Sequence, residues 1–289
     1  MKKKLPIFAG PAGRAKYMEA YEAMFALWKV PHESIDLKTG YGSTHINVSG
    51  PDDGYPLMLL HAAGLSSTVW FANIAELSTH HRVYAVDVIG DAGKSVVDRL
   101  MKKRTDYAKW LKEVFDGLNI ARCDLLGHSY GGWLTLNMAL AYPERLGKIV
   151  LLAPAASFRP LGLLTKLILY LGEFKIHPPA RSMLKAAAAK GTVLEEIFIH
   201  LMEEVTRSCS PATIYPTVYT DEELRQIHRP ALLLIGAGDK IYNPQKAVDR
   251  AQRLMPNLNA EIIPEAGHLL IMDQPKIINA RILQFLSNA

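Results

Sequence analysis

The run Cys123-Asp124-Leu125-Leu126-Gly127-His128-Ser129-Tyr130-Gly131-Gly132 joins an apolar strand candidate, Cys123 to Leu126, to a helical segment that continues from Gly131 to Ala141. Residues 127 to 131 fit G-x-S-x-G, a pattern that carries weight only in this setting, with a strand before it and a helix after it. A serine held on so sharp a turn needs neighbours without Cβ atoms, so that the chain can reverse and the helix can pack close to the sheet. Such a turn lifts the Ser129 hydroxyl above the sheet and points the first N–H groups of the helix at the reacting oxygen. Ser129 is therefore the candidate nucleophile.

Outward from this turn, short apolar runs alternate with helix-period segments. Leu57 to Leu60, Val83 to Val86, Ile149 to Leu152, Ala231 to Ile235 and the region of Glu261 to Ile263 are expected strands. Between and after them, helices are expected near Phe71 to Leu77, over Thr105 to Leu118, from about Pro244 to Leu254 and from Pro275 to Leu286. The Thr105 helix is amphipathic, with Tyr107, Trp110, Leu111, Val114, Phe115 and Leu118 at three- and four-residue spacing. Continuously apolar strands separated by helices indicate a mostly parallel central sheet covered on both faces. Ser34 to Lys38 and Thr44 to Val48 alternate instead, and predict an antiparallel edge hairpin across Gly40-Tyr41-Gly42.

From about residue 155 to 220 the alternation stops: there are helix-like segments, Pro178, Pro179, Pro211 and Pro216, and no strand. The expected organisation is a core domain over residues 1–154 with an N-terminal helical lead-in, a helical cap over 155–220, and the rest of the core over 221–289. A cap is favoured over an inert packing layer because the insertion begins and ends beside strands whose carboxyl ends should face the ligand crevice.

Composition narrows the class. The 289 residues are 49% hydrophobic, which argues for a folded globular chain rather than disorder. The net charge of +5 is spread out, and its densest runs, Lys2-Lys3-Lys4 and Lys102-Lys103-Arg104, contain no interleaved aromatics. They read as solvated surface, so no nucleic-acid partner is expected. The apolar start Leu5 to Ala9 is cut short by Gly10 and Pro11 before a signal-peptide core forms, and Lys166 divides the longest apolar run, Leu161 to Leu171. A cytoplasmic protein without a membrane span is expected. The two cysteines, Cys123 and Cys209, suggest neither a disulfide framework nor a metal site.

A serine hydroxyl needs a base within hydrogen-bond reach, and the base needs a carboxylate to orient it. Of ten histidines, His268 lies on the loop between the last predicted strand and the last helix, where its side chain can swing over the sheet edge. His61 and His128 lie at strand ends and read as structural. Asp239, after the strand ending at Ile235, completes the order Ser, Asp, His along the chain. Its competitors are Asp221, read as an N-cap for a helix starting at Glu222, and Glu265, three residues from His268. Acyl transfer also needs N–H donors for the developing oxyanion. One is expected from Tyr130, after the nucleophile. The other is expected from Ala63, with Ala62 as the alternative, in the loop His61-Ala62-Ala63-Gly64.

From about Ser34 onward the chain resembles the α/β-hydrolase superfamily. Within it, Ser66-Ser67-Thr68-Val69-Trp70, the run Tyr84 to Asp91, and Thr220-Asp221-Glu222-Glu223-Leu224-Arg225 are similar to Bacillus carboxylesterases of the naproxen-esterase type. Gly267-His268 and the downstream Met272-Asp273-Gln274-Pro275 match the superfamily's closing motif. The resemblance implies the α/β-hydrolase fold and a serine carboxylesterase acting on a small-molecule ester, of a bulky or arylpropionic acid, without metal or organic cofactor. The same triad also serves perhydrolases, lactonases and carbon–carbon bond hydrolases, and the fold alone would allow a ligand sensor with vestigial turnover. Ala62 stands where the family usually has glycine after the histidine, so the oxyanion loop carries a Cβ at that position. Gly90-Asp91-Ala92-Gly93-Lys94-Ser95 ends like a phosphate-binding loop, but Val88 stands where that motif needs its first glycine. Leu167, Leu169, Tyr170, Phe174, Ile197 and Phe198 fit an acyl pocket or the core of the cap equally well. Composition leaves the oligomeric state open.

Overall fold

A computed structural model describes residues 7–163, 165–167 and 178–287. Leu169, Tyr170, Phe174, His177 and the run Lys2-Lys3-Lys4 lie outside the described residues. In chain order the strands are β1 (Glu33–Thr39), β2 (Gly42–Ser49), β3 (Tyr55–Leu60), β4 (His81–Val86), β5 (Val96–Val97), β6 (Cys123–His128), β7 (Leu146–Leu152), β8 (Ala231–Gly236) and β9 (Leu258–Ile263). The helices are α1 (Gly10–Ala23), α2 (Ile74–Leu77), α3 (Arg104–Gly117), α4 (Tyr130–Ala141), α5 (Ala180–Ala187), α6 (Glu196–Ser208), α7 (Asp221–Arg225), α8 (Pro244–Leu254), α9 (Leu270–Asp273) and α10 (Pro275–Ser287).

The strands form one sheet in the order β1-β2-β4-β3-β6-β7-β8-β9, with β5 paired to β2. Pairings from β4–β3 through β8–β9 are parallel, whereas β1–β2 and β2–β4 are antiparallel. The apolar runs explain this arrangement. In β3, β7 and β8 alternate residues point to opposite faces, so Met58, Leu60, Leu151, Leu233 and Ile235 join one apolar core while Leu57, Leu59, Val150, Leu152 and Leu234 join the other. The first core is filled by Trp110 and Phe115 of α3 and Trp133 of α4, and the second by Trp70, Leu77, Ile278 and Ile282. A strand buried on both faces has no polar side to show, hence the continuous hydrophobic reading.

Local details depart from expectation. The hairpin turns at Gly40-Tyr41, and Gly42 is already in β2 at φ +145°, where a Cβ would lie 1.9 Å from the Val96 carbonyl of β5. The segment expected as one helix near Phe71 is a 3-10 turn, Ser67–Ala72, followed by the single turn α2. Thr220, not Asp221, caps α7: the Thr220 hydroxyl accepts the Glu223 N–H, and the Glu223 carboxylate accepts the Thr220 N–H. This is the reciprocal box of a threonine followed three residues later by a glutamate, a pattern legible in Thr220-Asp221-Glu222-Glu223.

The connection from β7 to β8 carries α5 and α6, and it is attached to the N-terminal segment. Ala9 N–H donates to Ser208 O and Ser210 N–H to Ile7 O, at 2.7 Å each, and α1 packs along α6. The helical lead-in thus packs against this connection and also reaches β2, where the Tyr21 hydroxyl accepts the Asn47 amide N–H at 2.8 Å. Phe198 of α6 is buried in the second core beside Phe71, with ring centroids 6.3 Å apart, while Ile197 is half-buried and Leu167 exposed. Among the described residues, no helix is long and apolar enough to cross a membrane.

Candidate active site

The carboxyl ends of four of the five adjacent parallel strands from β3 to β9 deliver the sequence-selected residues to one place. Ser129 follows β6, Asp239 follows β8, His268 follows β9 and the His61–Gly64 loop follows β3. Ser129 sits at φ +52° and ψ −110°, a conformation that costs a non-glycine residue roughly 1–3 kcal/mol. The surrounding bonds hold it there: its N–H donates to Leu152 O at 2.8 Å, and its carbonyl accepts from Ala155 N–H at 3.0 Å. Close packing leaves no alternative path. A Cβ on Gly127 would lie 2.1 Å from Gly131 O, and one on Gly131 would lie 2.0 Å from Leu60 O, at the end of β3. Because the obstructing atoms are backbone, Gly131→Ala is expected to destabilise the fold by about 3 kcal/mol. Urea unfolding of the variant measures this, and an unchanged midpoint would contradict the packing.

His268 Nε2 lies 2.9 Å from Ser129 Oγ, and His268 Nδ1 lies 2.8 Å from Asp239 Oδ2. The other Asp239 oxygen, Oδ1, accepts the Ile241 N–H at 2.8 Å, so both oxygens of this buried carboxylate are satisfied. Ser129, His268 and Asp239 are 7%, 6% and 5% exposed, which keeps water from screening their mutual interaction. Asp221 is elsewhere, paired with Arg250 at 2.7 Å. Glu265 is exposed, at φ +53°, and contributes its backbone carbonyl to Gln274 Nε2.

The loop carrying His268 is held by groups that the sequence reading left aside. His268 N–H donates to Ala187 O of α5 at 2.7 Å, and Gly267 N–H donates to Asp273 Oδ2 at 2.7 Å. Asp273 Oδ1 reaches back to the insertion, accepting from Ala189 N–H at 3.0 Å and the Thr192 hydroxyl at 2.6 Å. His128 Nε2 donates to His268 O at 2.8 Å. Complete burial, with His268 close by, pushes the His128 ring down to about 3, so it stays neutral and supplies this single N–H. Sequence spacing carries no trace of the His128 contact, since His128 and His268 are far apart along the chain.

Tyr130 opens α4 and is buried, whereas Ala63 is exposed. Among the described residues, neither backbone N–H has an acceptor. The first turn of α4 abuts the end of β3 through the Gly131–Leu60 approach, which brings the two loops side by side. The loop itself is anchored: Val88 N–H donates to His61 Nε2 at 2.9 Å, so the ring proton is on Nδ1 and donates to Ala62 O at 2.8 Å.

The phosphate-loop resemblance dissolves in the structure. Lys94 N–H and Ala92 N–H are turned to the carboxylates of Asp87 and Asp91 respectively, and a Cβ on Gly93 would strike the Asp87 side chain at 2.7 Å. N–H groups that already hold a carboxylate are not open to a phosphate. Among the described residues, no cluster of three His, Cys, Asp or Glu side chains is arranged to hold a metal ion. Both cysteines are free thiols. An open cleft lined by His32, Ser49, Asp52, Ser78 and Arg82 lies at the opposite end of the parallel strands and shares no residue with this site.

Comparison with known proteins identifies the family. Residues 57–281 match the alpha/beta hydrolase family. The chain is 38% identical over 279 residues to the "Uncharacterized carboxylesterase nap" of Bacillus subtilis (strain 168), covering 94% of this chain and 92% of that one. It is 36% identical over 286 residues to carboxylesterase YbfK of the same organism, covering 96% of each. The crystal structure of naproxen esterase (carboxylesterase NP) from Bacillus subtilis superposes with a TM-score of 0.91 at 37% identity, over 96% of this chain and 99% of that one. A parallel sheet with its strained serine turn, together with a family match that spans most of the chain, makes this protein a member of the alpha/beta hydrolase family.

Proposed function

We propose that the chain is a serine carboxylesterase that works through an acyl-enzyme, with Ser129 as nucleophile, His268 as base and Asp239 as the carboxylate that orients it. The observation that carries the reading is the continuous line of hydrogen bonds from Asp239 through His268 to a serine held in a strained turn. His268 takes the Ser129 proton as Oγ attacks the ester carbonyl, and the oxyanion forms between the N–H groups of Tyr130 and Ala63. The tetrahedral intermediate collapses, and His268 returns the proton to the departing alkoxide. Water then attacks the acyl-enzyme along the same path, and the acid leaves. Asp239 holds the Nδ1 proton in place and stabilises the imidazolium in both halves.

The helical insertion, residues 155–220, serves as a cap over this site. The Ala187 carbonyl on the His268 backbone and the reach of Asp273 from Gly267 to Thr192 support that role, since they tie the insertion to the catalytic loop. The substrates are esters of bulky or arylpropionic acids, a reading that rests on the likeness to the naproxen esterase.

The test is a panel of p-nitrophenyl esters of short, medium and arylpropionic acids. The expected result is a burst of p-nitrophenol equal to the active sites, followed by steady turnover, with arylpropionates among the better substrates. Cleavage of the carbon–carbon bond of diketones without ester turnover would overturn the reading.

A further inference from the structure

The turn that carries the Ala63 N–H is built on a buried carboxylate that the chemistry above does not use. Leu65 N–H donates to Ala62 O at 3.1 Å and closes a β-turn over residues 62–65, with Gly64 in third position at φ +71°. Glycine is the residue that takes a positive φ there. The closing bond uses the Leu65 N–H, so the Gly64 N–H must find its acceptor outside the turn. It finds Asp91, whose two oxygens each lie 3.0 Å from Gly64 N. Oδ1 also accepts the Ala92 N–H at 2.8 Å.

Asp91 is fully buried, and burial pushes its carboxyl up to about 6 although His61 and the Ala92 and Gly64 N–H groups pull it down. A buried carboxylate is costly unless its oxygens are hydrogen-bonded, and here the bonds fall on the turn itself. In a trans peptide the C=O and N–H point in opposite directions. The Ala62 carbonyl is held inward by the His61 ring and Leu65 N–H, so the Ala63 N–H points out of the turn. The next peptide plane, between Ala63 and Gly64, is set by the Asp91 contact.

We propose that Asp91 is a positioning residue for the oxyanion side of the site: by holding the Gly64 N–H it fixes the 62–65 turn and so aims the Ala63 N–H at the reacting carbonyl. The proposal rests on reading the Ala63 N–H as an oxyanion donor. Val88 grips the same loop through His61, so residues 88–92 hold it at both ends. This gives the segment that imitates a phosphate loop a different task.

The test compares Asp91→Ala, Asp91→Asn and wild type at mildly alkaline pH. Three quantities are read: p-nitrophenyl butyrate hydrolysis, inhibition by an alkyl trifluoromethyl ketone, whose serine adduct carries an oxyanion, and NMR exchange of the Gly64 amide. Asp91→Ala is expected to lower kcat about 10- to 100-fold, the scale of a slightly misplaced catalytic group, with little change in KM. Ketone affinity falls by a similar factor and Gly64 exchanges faster. Asp91→Asn, whose carbonyl can accept both N–H groups, recovers most of kcat, affinity and protection. Wild-type kcat and ketone affinity in Asp91→Ala, or equal impairment of the Asn and Ala variants, would overturn the proposal. Failure of the esterase reading shows separately, as wild-type protein without Ser129-dependent turnover. Gly64 exchange then still decides whether Asp91 sets the turn, and unchanged exchange in Asp91→Ala overturns that too.

Discussion

Ser129→Ala is expected to lower kcat on p-nitrophenyl esters by about 10⁶-fold, the loss seen when the nucleophile of such a unit is removed. The size follows from the mechanism: without Oγ there is no acyl-enzyme, and His268 and Asp239 have nothing to activate. What survives is binding and the oxyanion donors acting on water. The fold should be nearly untouched. Ser129 Oγ makes one hydrogen bond, to His268, worth about 1 kcal/mol. The positive φ is no harder for alanine than for serine. Thermal unfolding and burst amplitude, measured on the same preparation, separate the two effects. A variant that kept the burst would remove Ser129 from the mechanism.

Asp239→Asn is expected to cost about 10⁴-fold in kcat, with the fold and KM little changed. The structure explains why so small a change should matter so much. Asp239 Oδ1 accepts the Ile241 N–H, which keeps the amide oxygen of an asparagine on that side. The amide NH₂ is then left facing His268 Nδ1, where Asp239 Oδ2 accepted the Nδ1–H hydrogen bond. A donor at that position selects the imidazole tautomer with its proton on Nε2, the nitrogen that must accept the Ser129 proton. Asp221→Asn and Glu265→Gln serve as comparisons. Asp221 is engaged with Arg250 and Glu265 faces solvent, so neither should alter kcat appreciably. A large loss in either, with wild-type rates in Asp239→Asn, would move the orienting carboxylate elsewhere.

The fold was legible because its signals are local and repeated. The apolar runs of β3, β7 and β8 are buried on both faces, and that makes Leu57 to Leu60, Ile149 to Leu152 and Ala231 to Ile235 stand out from the amphipathic helices between them. The edge hairpin announced itself by alternation, and at the start of α8 the structure adds an Asn243 side chain that caps the Lys246 N–H, with proline at the first helical position. Short elements were not legible. β5 is two residues long, and the turn at Ser67–Ala72 is held by the Asp87 carboxylate on the Ser67 N–H and hydroxyl rather than by its own periodicity.

For the site, the sequence by itself determined the identities of the candidates. A G-x-S-x-G turn between strand and helix, an aspartate after a later strand and a histidine after the last one are each tied to the carboxyl end of a strand, and strand ends can be read locally. Only the tertiary structure decided which groups hold them in place. His128 on the His268 carbonyl, Ala187 on its N–H, Asp273 between Gly267 and Ala189, and Asp91 beneath Gly64 are contacts to the backbone that join distant parts of the chain. A backbone N–H or carbonyl is present at nearly every residue and leaves no mark in the sequence. Which side chain meets it depends on packing that exists only once the sheet has formed.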